Sequence, residues 1–285
     1  MKKIAFLFVL IIVQACAQKA PYGKLEPLGK FPSKLKEVSG IEVSSSGTVW
    51  VIQDSGNEDE IYQLDRKAKL FQSLKIDHAK NQDWEDLALD NNGNLYIGDF
   101  GNNANERKNL TIYKVPQSEL GKKKPNAKKI AFYYPDQKNF PPEKDSLYFD
   151  TEGFFHLDGH LYIFTKNRTR PYSGKTLIYR VPDTEGEHTA EPLGSLFLCG
   201  DQDRCSVTGA DISLDGKTIA LLSYGLVFLL TDFELSDFSK ASIQTIDLNC
   251  QTQIESICFL DNKTLLIADE RNKNGGGNLY RFHLD

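Results

Sequence analysis

Glu85, Asp99, Glu152, Glu255 and Asp269 hold corresponding places in short apolar segments of a 285-residue chain, each beginning or ending a strand-like run. A fold that gathers the segments gathers the carboxylates. Acids a few ångströms apart cannot all stay ionised without compensation. Three resolutions are open. A hard cation such as Ca²⁺ takes ~6–8 oxygen ligands and needs no histidine. Basic side chains can pair with the acids, with Arg107, Lys166, Arg168 and Arg271 as candidates. Or the acids cap turns and point away from one another.

Other chemistry is harder to find. "SGKT" at 173–176 lacks the glycine a phosphate loop needs, because Thr169 stands there. "DNNGN" at 90–94 resembles a calcium loop but sits where a hairpin must turn. His78, His156, His160, His188 and His283 show no metal-ligand spacing, and no nucleophile–base constellation is legible.

The elements that must position the acids are repeats. Five hairpins recur: "VSGIEVSSSGTVWVIQD" from 38, "DWEDLALDNNGNLYIGD" from 83, "DTEGFFHLDGHLYIFTK" from 150, "VTGADISLDGKTIALLS" from 207 and "QIESICFLDNKTLLIAD" from 253. Tight turns join a first strand to an apolar second one. A third strand follows each, and a fourth follows in four units. The fifth unit lacks a fourth, while "KLEPLGKF" at 24–31 is left over in front of the first. Four-stranded sheets repeated radially form a propeller. The expectation is an all-β, five-bladed β-propeller over residues 24–285, closed by the N-terminal strand, with six blades as the alternative.

In that architecture first strands line the channel, and loops preceding first strands share a face with loops leaving second strands. Glu85, Glu152 and Glu255 occupy one slot at the start of first strands, with Gly40 and Gly209 in the other units. Asp54, Asp99 and Asp269 occupy the second-strand exit, with Lys166 in the third unit. Long loops at 100–109, 136–149, 167–175 and 270–278 fall on the same face. Glu85, Asp99, Glu152, Glu255 and Asp269 are therefore the expected metal ligands. Asp54, Asp86, Arg107, Lys166, Arg168, Glu270 and Arg271 are the candidates for a ligand face.

The start of the chain reads as an address. Lys2 and Lys3 precede an apolar run from Ile4 to Val13, too short to span a bilayer. Val13-Gln14-Ala15-Cys16 resembles a bacterial lipobox, which gives a signal over 1–15, a lipidated Cys16 and a tether over 16–23. With Ala17 next, the expectation is export and anchoring to the outer membrane. Loss of two lysines with the signal takes the net charge from −5 to −7. Such an acidic chain with no basic stripe argues against nucleic acid as a partner. Among the remaining cysteines, Cys199 and Cys205 bracket a short polar loop and are the favoured disulfide, leaving Cys250 and Cys258 as thiols.

At the level of whole repeats the chain resembles the SdiA-regulated family of secreted or periplasmic bacterial propellers. "VSGIEVSSSGTVWVIQDSG", "DTEGFFHLDGHLYIFTKNR" and above all "QIESICFLDNKTLLIADERN" carry the resemblance. It implies a propeller, calcium at the acidic mouth, and Glu152, Glu255, Asp269 and Glu270 as its acidic signature. The second unit, with Trp84-Glu85-Asp86 and "GDFGNN", is more similar to phytase-like and esterase-like propellers. Three functions stay open: a non-catalytic, monomeric lipoprotein binding a cation and an unidentified ligand or protein; a calcium-dependent phosphoester or lactone hydrolase; and a structural propeller used only for protein contact.

Overall fold

A computed structural model describes residues 22 to 273 and 275 to 284. The signal segment and Cys16 lie outside the described residues. Five blades form the fold, which is all-β and excludes the six-blade alternative. Blade 1 comprises Val38–Val43, Val49–Gln53, Glu60–Leu64 and Leu70–Lys75. Blade 2 comprises Trp84–Leu89, Leu95–Asp99, Thr111–Val115 and Lys128–Tyr133. Blade 3 comprises Asp150–Leu157, His160–Lys166, Lys175–Pro182 and Glu191–Phe197. Blade 4 comprises Val207–Ile212, Ile219–Ser223, Leu226–Thr231 and Ser242–Asp247. Blade 5 has Ile254–Asp261, Thr264–Asp269 and Asn278–His283, and Glu26–Lys30 completes it by antiparallel pairing.

The hairpins follow from their turn chemistry. Gly47, Gly93, Gly159 and Gly216 turn four of the five with φ between 69° and 80°, where a Cβ would be strained. Second strands are buried along both faces, which is why they read as continuous apolar runs. Five hydrophobic clusters fill the five seams between neighbouring blades. Tyr96 and Phe154, for example, belong to the seam of blades 2 and 3, and Val38 and Leu266 to that of blades 5 and 1. Leu25 and Phe31 flank the closing strand and enter two different seams. Gly186–Thr189, from the third-to-fourth strand connection of blade 3, adds a parallel strand to the outer edge of blade 2.

Inner strands approach one another around the axis. A Cβ on Gly40 would lie 2.8 Å from the Leu87 nitrogen, and one on Gly153 would lie 2.7 Å from the Ala210 nitrogen. Asp86 holds the corresponding place in blade 2 and reaches across the axis. Its Oδ2 accepts the N–H of Phe154 in blade 3 at 3.2 Å and of Ala210 in blade 4 at 3.3 Å. Burial pushes its carboxyl well above the usual range, with those backbone donors working against the shift.

Candidate metal centre at the acidic mouth

All five inner strands share one irregularity. Their register against the second strand slips between Val38 and Gly40, Trp84 and Asp86, Thr151 and Gly153, Val207 and Gly209, and Ile254 and Ser256. A bulge of this kind re-aims one side chain out of the strand's alternation. The bulged residues are Ser39, Glu85, Glu152, Thr208 and Glu255, and all five line one cavity of about 330 Å³ at the channel mouth. The slot shared with the three glutamates is thus occupied by Ser39 and Thr208, one residue before the expected Gly40 and Gly209. Both hydroxyls staple the ring: Ser39 donates to the Trp84 carbonyl at 2.7 Å and Thr208 to the Ile254 carbonyl at 3.4 Å.

Second-strand exits split into two sets facing opposite ways. Gln53, Asp99, Thr165, Ser223 and Asp269 pair with the residues just before the bulges. Each ties down a neighbouring loop or strand. Asp99 accepts the Asp83 N–H at 2.9 Å and pairs with Arg107 at 3.1 Å. Asp269 accepts the Asn278 N–H at 2.6 Å and the Tyr280 hydroxyl at 2.8 Å. Neither lines the mouth, so the expected ring of five acids is three, Glu85, Glu152 and Glu255. The following residue in each blade does face it: Asp54, Lys166, Tyr224 and Glu270 line the cavity, while Phe100 of blade 2 turns into the core.

The remaining ligand-face candidates divide in the same way. Arg168 lines the mouth. Arg107 clamps loop 100–109 through the Gly101 carbonyl at 2.7 Å, and Arg271 donates to the Phe31 carbonyl at 2.6 Å; neither lines the cavity. Asp86 lies beneath it on the axis.

The two halves of the mouth differ in what stands beside the acids. On the blade 3 side, Lys166 Nζ stands 3.0 Å from Glu152, and Arg168 stands 2.6 Å from Asp150 and 3.3 Å from Glu152. Burial still pushes Glu152 up to about 8, with Lys166 opposing that shift. Burial also works against the Lys166 charge, but Glu152 and Glu255 outweigh it and hold its pKa well above the usual value.

On the blade 1–2 side, among the described residues, no ion pair to a base compensates the acids. Asp54, Asp83 and Glu85 each offer a carboxylate oxygen, and these oxygens lie within 4.8 Å of one another. Burial, then Asp54, pushes Asp83 up to about 7; burial, then Glu152, Asp54 and Asp83, pushes Glu85 well above its usual range. Gly101 forms the wall behind them, since a Cβ there would fall 2.0 Å from Glu85 Oε1 and 2.5 Å from Asp83 Oδ2. Burial and then Glu255 raise Glu270 to about 8, and Gln253 bridges the two, donating at 3.1 Å and 2.6 Å. An all-oxygen set without a basic partner fits a hard divalent cation. Asp83 opens the second repeat but is absent from the expected ligands, which come only from the slot two residues later and from the second-strand exit.

A second grouping on the opposite face, Asp90, His156 and Asp183, is internally satisfied: the Tyr96 hydroxyl lies between the two acids, 2.8 Å from Asp183 and 3.1 Å from Asp90, and His156 and Lys114 stand 3.0 and 3.1 Å from Asp183. Cys199 and Cys205 form the favoured disulfide, with Cα atoms 5.8 Å apart; Cys250 and Cys258 are thiols.

These features define a β-propeller protein with a polar, strongly acidic axial mouth. Solved propellers share the fold. The PQQ-bound aldose sugar dehydrogenase of Streptomyces coelicolor matches with TM-score 0.52 at 9% identity, over 92% of this chain and 98% of that one. A gluconolactonase of Xanthomonas campestris matches with 0.47 at 13%, over 87% and 72%. Virginiamycin B lyase of Staphylococcus aureus, inactivated by substitution and solved with quinupristin, matches with 0.44 at 14%, over 87% of this chain and 66% of the lyase. No protein-family model and no curated protein matches the sequence. Identities this low speak for the fold alone, and the likeness to the SdiA-regulated family rests on the hairpins quoted above.

Proposed function

We propose that this protein is an exported, lipid-anchored propeller that binds a divalent cation, Ca²⁺, at its acidic mouth and there receives a further ligand or partner. One observation carries the reading: Asp54, Asp83 and Glu85 converge within 4.8 Å, and among the described residues none of the three forms an ion pair with a basic side chain. Their donors are all oxygen, which suits Ca²⁺ rather than a metal that favours nitrogen or sulfur. Resemblance to SdiA-regulated propellers supports the same choice, and the lipobox-like Val13–Cys16 supports the anchor. A calcium-dependent hydrolase at this face would use the ion to polarise a substrate oxygen. The Ser39 and Thr208 hydroxyls of the mouth are engaged with backbone carbonyls, which favours binding over hydrolysis.

Calcium titrated into chelator-treated protein should raise its stability by ~2.7 kcal/mol at a hundred times the dissociation constant. Glu85→Gln should abolish the response. Identical melting in calcium and in chelator would overturn the reading. The anchor is tested apart: Cys16→Ser should release the protein from the outer-membrane fraction, and unchanged partitioning refutes it.

A further inference from the structure

We infer that the mouth receives an uncharged polyhydroxylated ligand and shuts out phosphate esters and other oxyanions, an inference that rests on its reading as a divalent-cation site. The cavity, about 330 Å³, falls near the lower end of the ~300–1,000 Å³ typical of ligand pockets. It has room for one small ring. All thirteen residues lining it carry a polar or charged group and none is aliphatic, so an apolar body gains nothing by entering.

Charge decides the rest. Only Lys166 and Arg168 are basic, and both already hold Glu152 and Asp150 at 2.6 to 3.3 Å. An oxyanion at either base would lie beside the buried carboxylates already held there, Glu152 and Asp150, and like charges at such distances repel. Six carboxylates and two bases line the mouth, so once the carboxylates are ionised, above about pH 8, it stays net negative with one divalent ion in place and repels an anion. Hydroxyls avoid both penalties. They donate to Glu255 and Glu270, accept from the spare N–H groups of Lys166, and a vicinal pair supplies oxygens to a cation whose shell the triad only partly fills.

The test uses calorimetry at fixed free calcium on the calcium-saturated protein. Probes are matched pairs: myo-inositol against its 1-phosphate, and glucose and galactose against theirs. At least one neutral polyol should bind about tenfold more tightly than its phosphate. Glu37→Gln, at an exposed rim acid outside both the triad and the polyol contacts, should narrow that ratio about twofold by weakening repulsion while calcium still binds. A phosphate that binds as well as its parent polyol overturns the inference. So does a calcium-binding mouth that takes none of the polyols. Failure of the cation reading itself appears earlier and separately, as no heat in the calcium titration.

Discussion

The Asp99 carboxylate accepts the backbone N–H of Asp83 at 2.9 Å, so an acid that stays off the mouth holds in place one that meets Asp54 and Glu85 there. Arg107 fixes the same Asp99 oxygen from the other side at 3.1 Å. Asp99→Ala removes no triad donor, yet it should weaken calcium binding about tenfold and cost ~1–3 kcal/mol through the unpaired groups it leaves. Calorimetry and melting curves check both; an unchanged calcium affinity would show that the loop needs no such tie.

Acidity should act on the metal-free protein in an unusual direction. Asp83 is held up at about 7, and Glu152 and Glu270 at about 8, mainly by burial. In the unfolded chain these groups ionise near ~4. Between the two ranges the folded state holds more protons, so stability falls as pH rises from ~4 to ~8. The metal-free protein should melt higher at pH 5 than at pH 8. Calcium should restore much of the loss at pH 8 and do little at pH 5, where protons occupy the carboxylates. Metal-free stability that climbs across this window would contradict the burial described for these acids.

Gly101→Ala tests the triad without changing a charge. The new methyl group would meet Glu85 Oε1 at 2.0 Å and Asp83 Oδ2 at 2.5 Å, both at ends of side chains that can swing aside. Melting in chelator should drop by no more than ~1–3 kcal/mol, the usual cost of overpacking, while the calcium-induced rise disappears. A full calcium response in this variant would place the ion elsewhere.

Deleting residues 24–31 removes the strand that closes blade 5 and pulls Leu25 and Phe31 out of two seams. Burial of two such side chains is worth ~3–6 kcal/mol together, and the deletion bares an edge prone to pairing with other chains. The shortened protein should aggregate or melt far below the parent. A truncated protein that melts like the parent would mean that the seam holds without its closing strand.

Blade number, ring closure and the choice of face were legible because each rests on a repeated hairpin whose turn and apolar run are local. The site was half legible. Strands were read with a period of two, and a bulge inserts one residue that turns the following side chains to the other face. Hence Gly40 and Gly209 stood in for Ser39 and Thr208, and Asp99 and Asp269 were grouped with Asp54. A signal was available: Gly40, Gly153, Gly209 and Ser256 are small and follow the bulged residue, and added side chains at Gly40 and Gly153 would strike the neighbouring inner strand. Asp86 breaks that pattern in blade 2. Asp83 had no comparable mark, since its place depends on loop 100–109 folding back over it through Gly101, whose N–H donates to the Asp83 carbonyl at 3.2 Å.

Asp86 also has a consequence for traffic. By bonding to the inner strands of blades 3 and 4 from blade 2, it stands as a bung between the mouth and the larger cavity of about 640 Å³ on the far side, which Glu42 and Asp211 help to line. Among the described residues these two bonds lie between the cavities. An ion coming to the triad from the far side would have to break them, so exchange is favoured through the mouth, and the rate at which an ion leaves depends on what covers it.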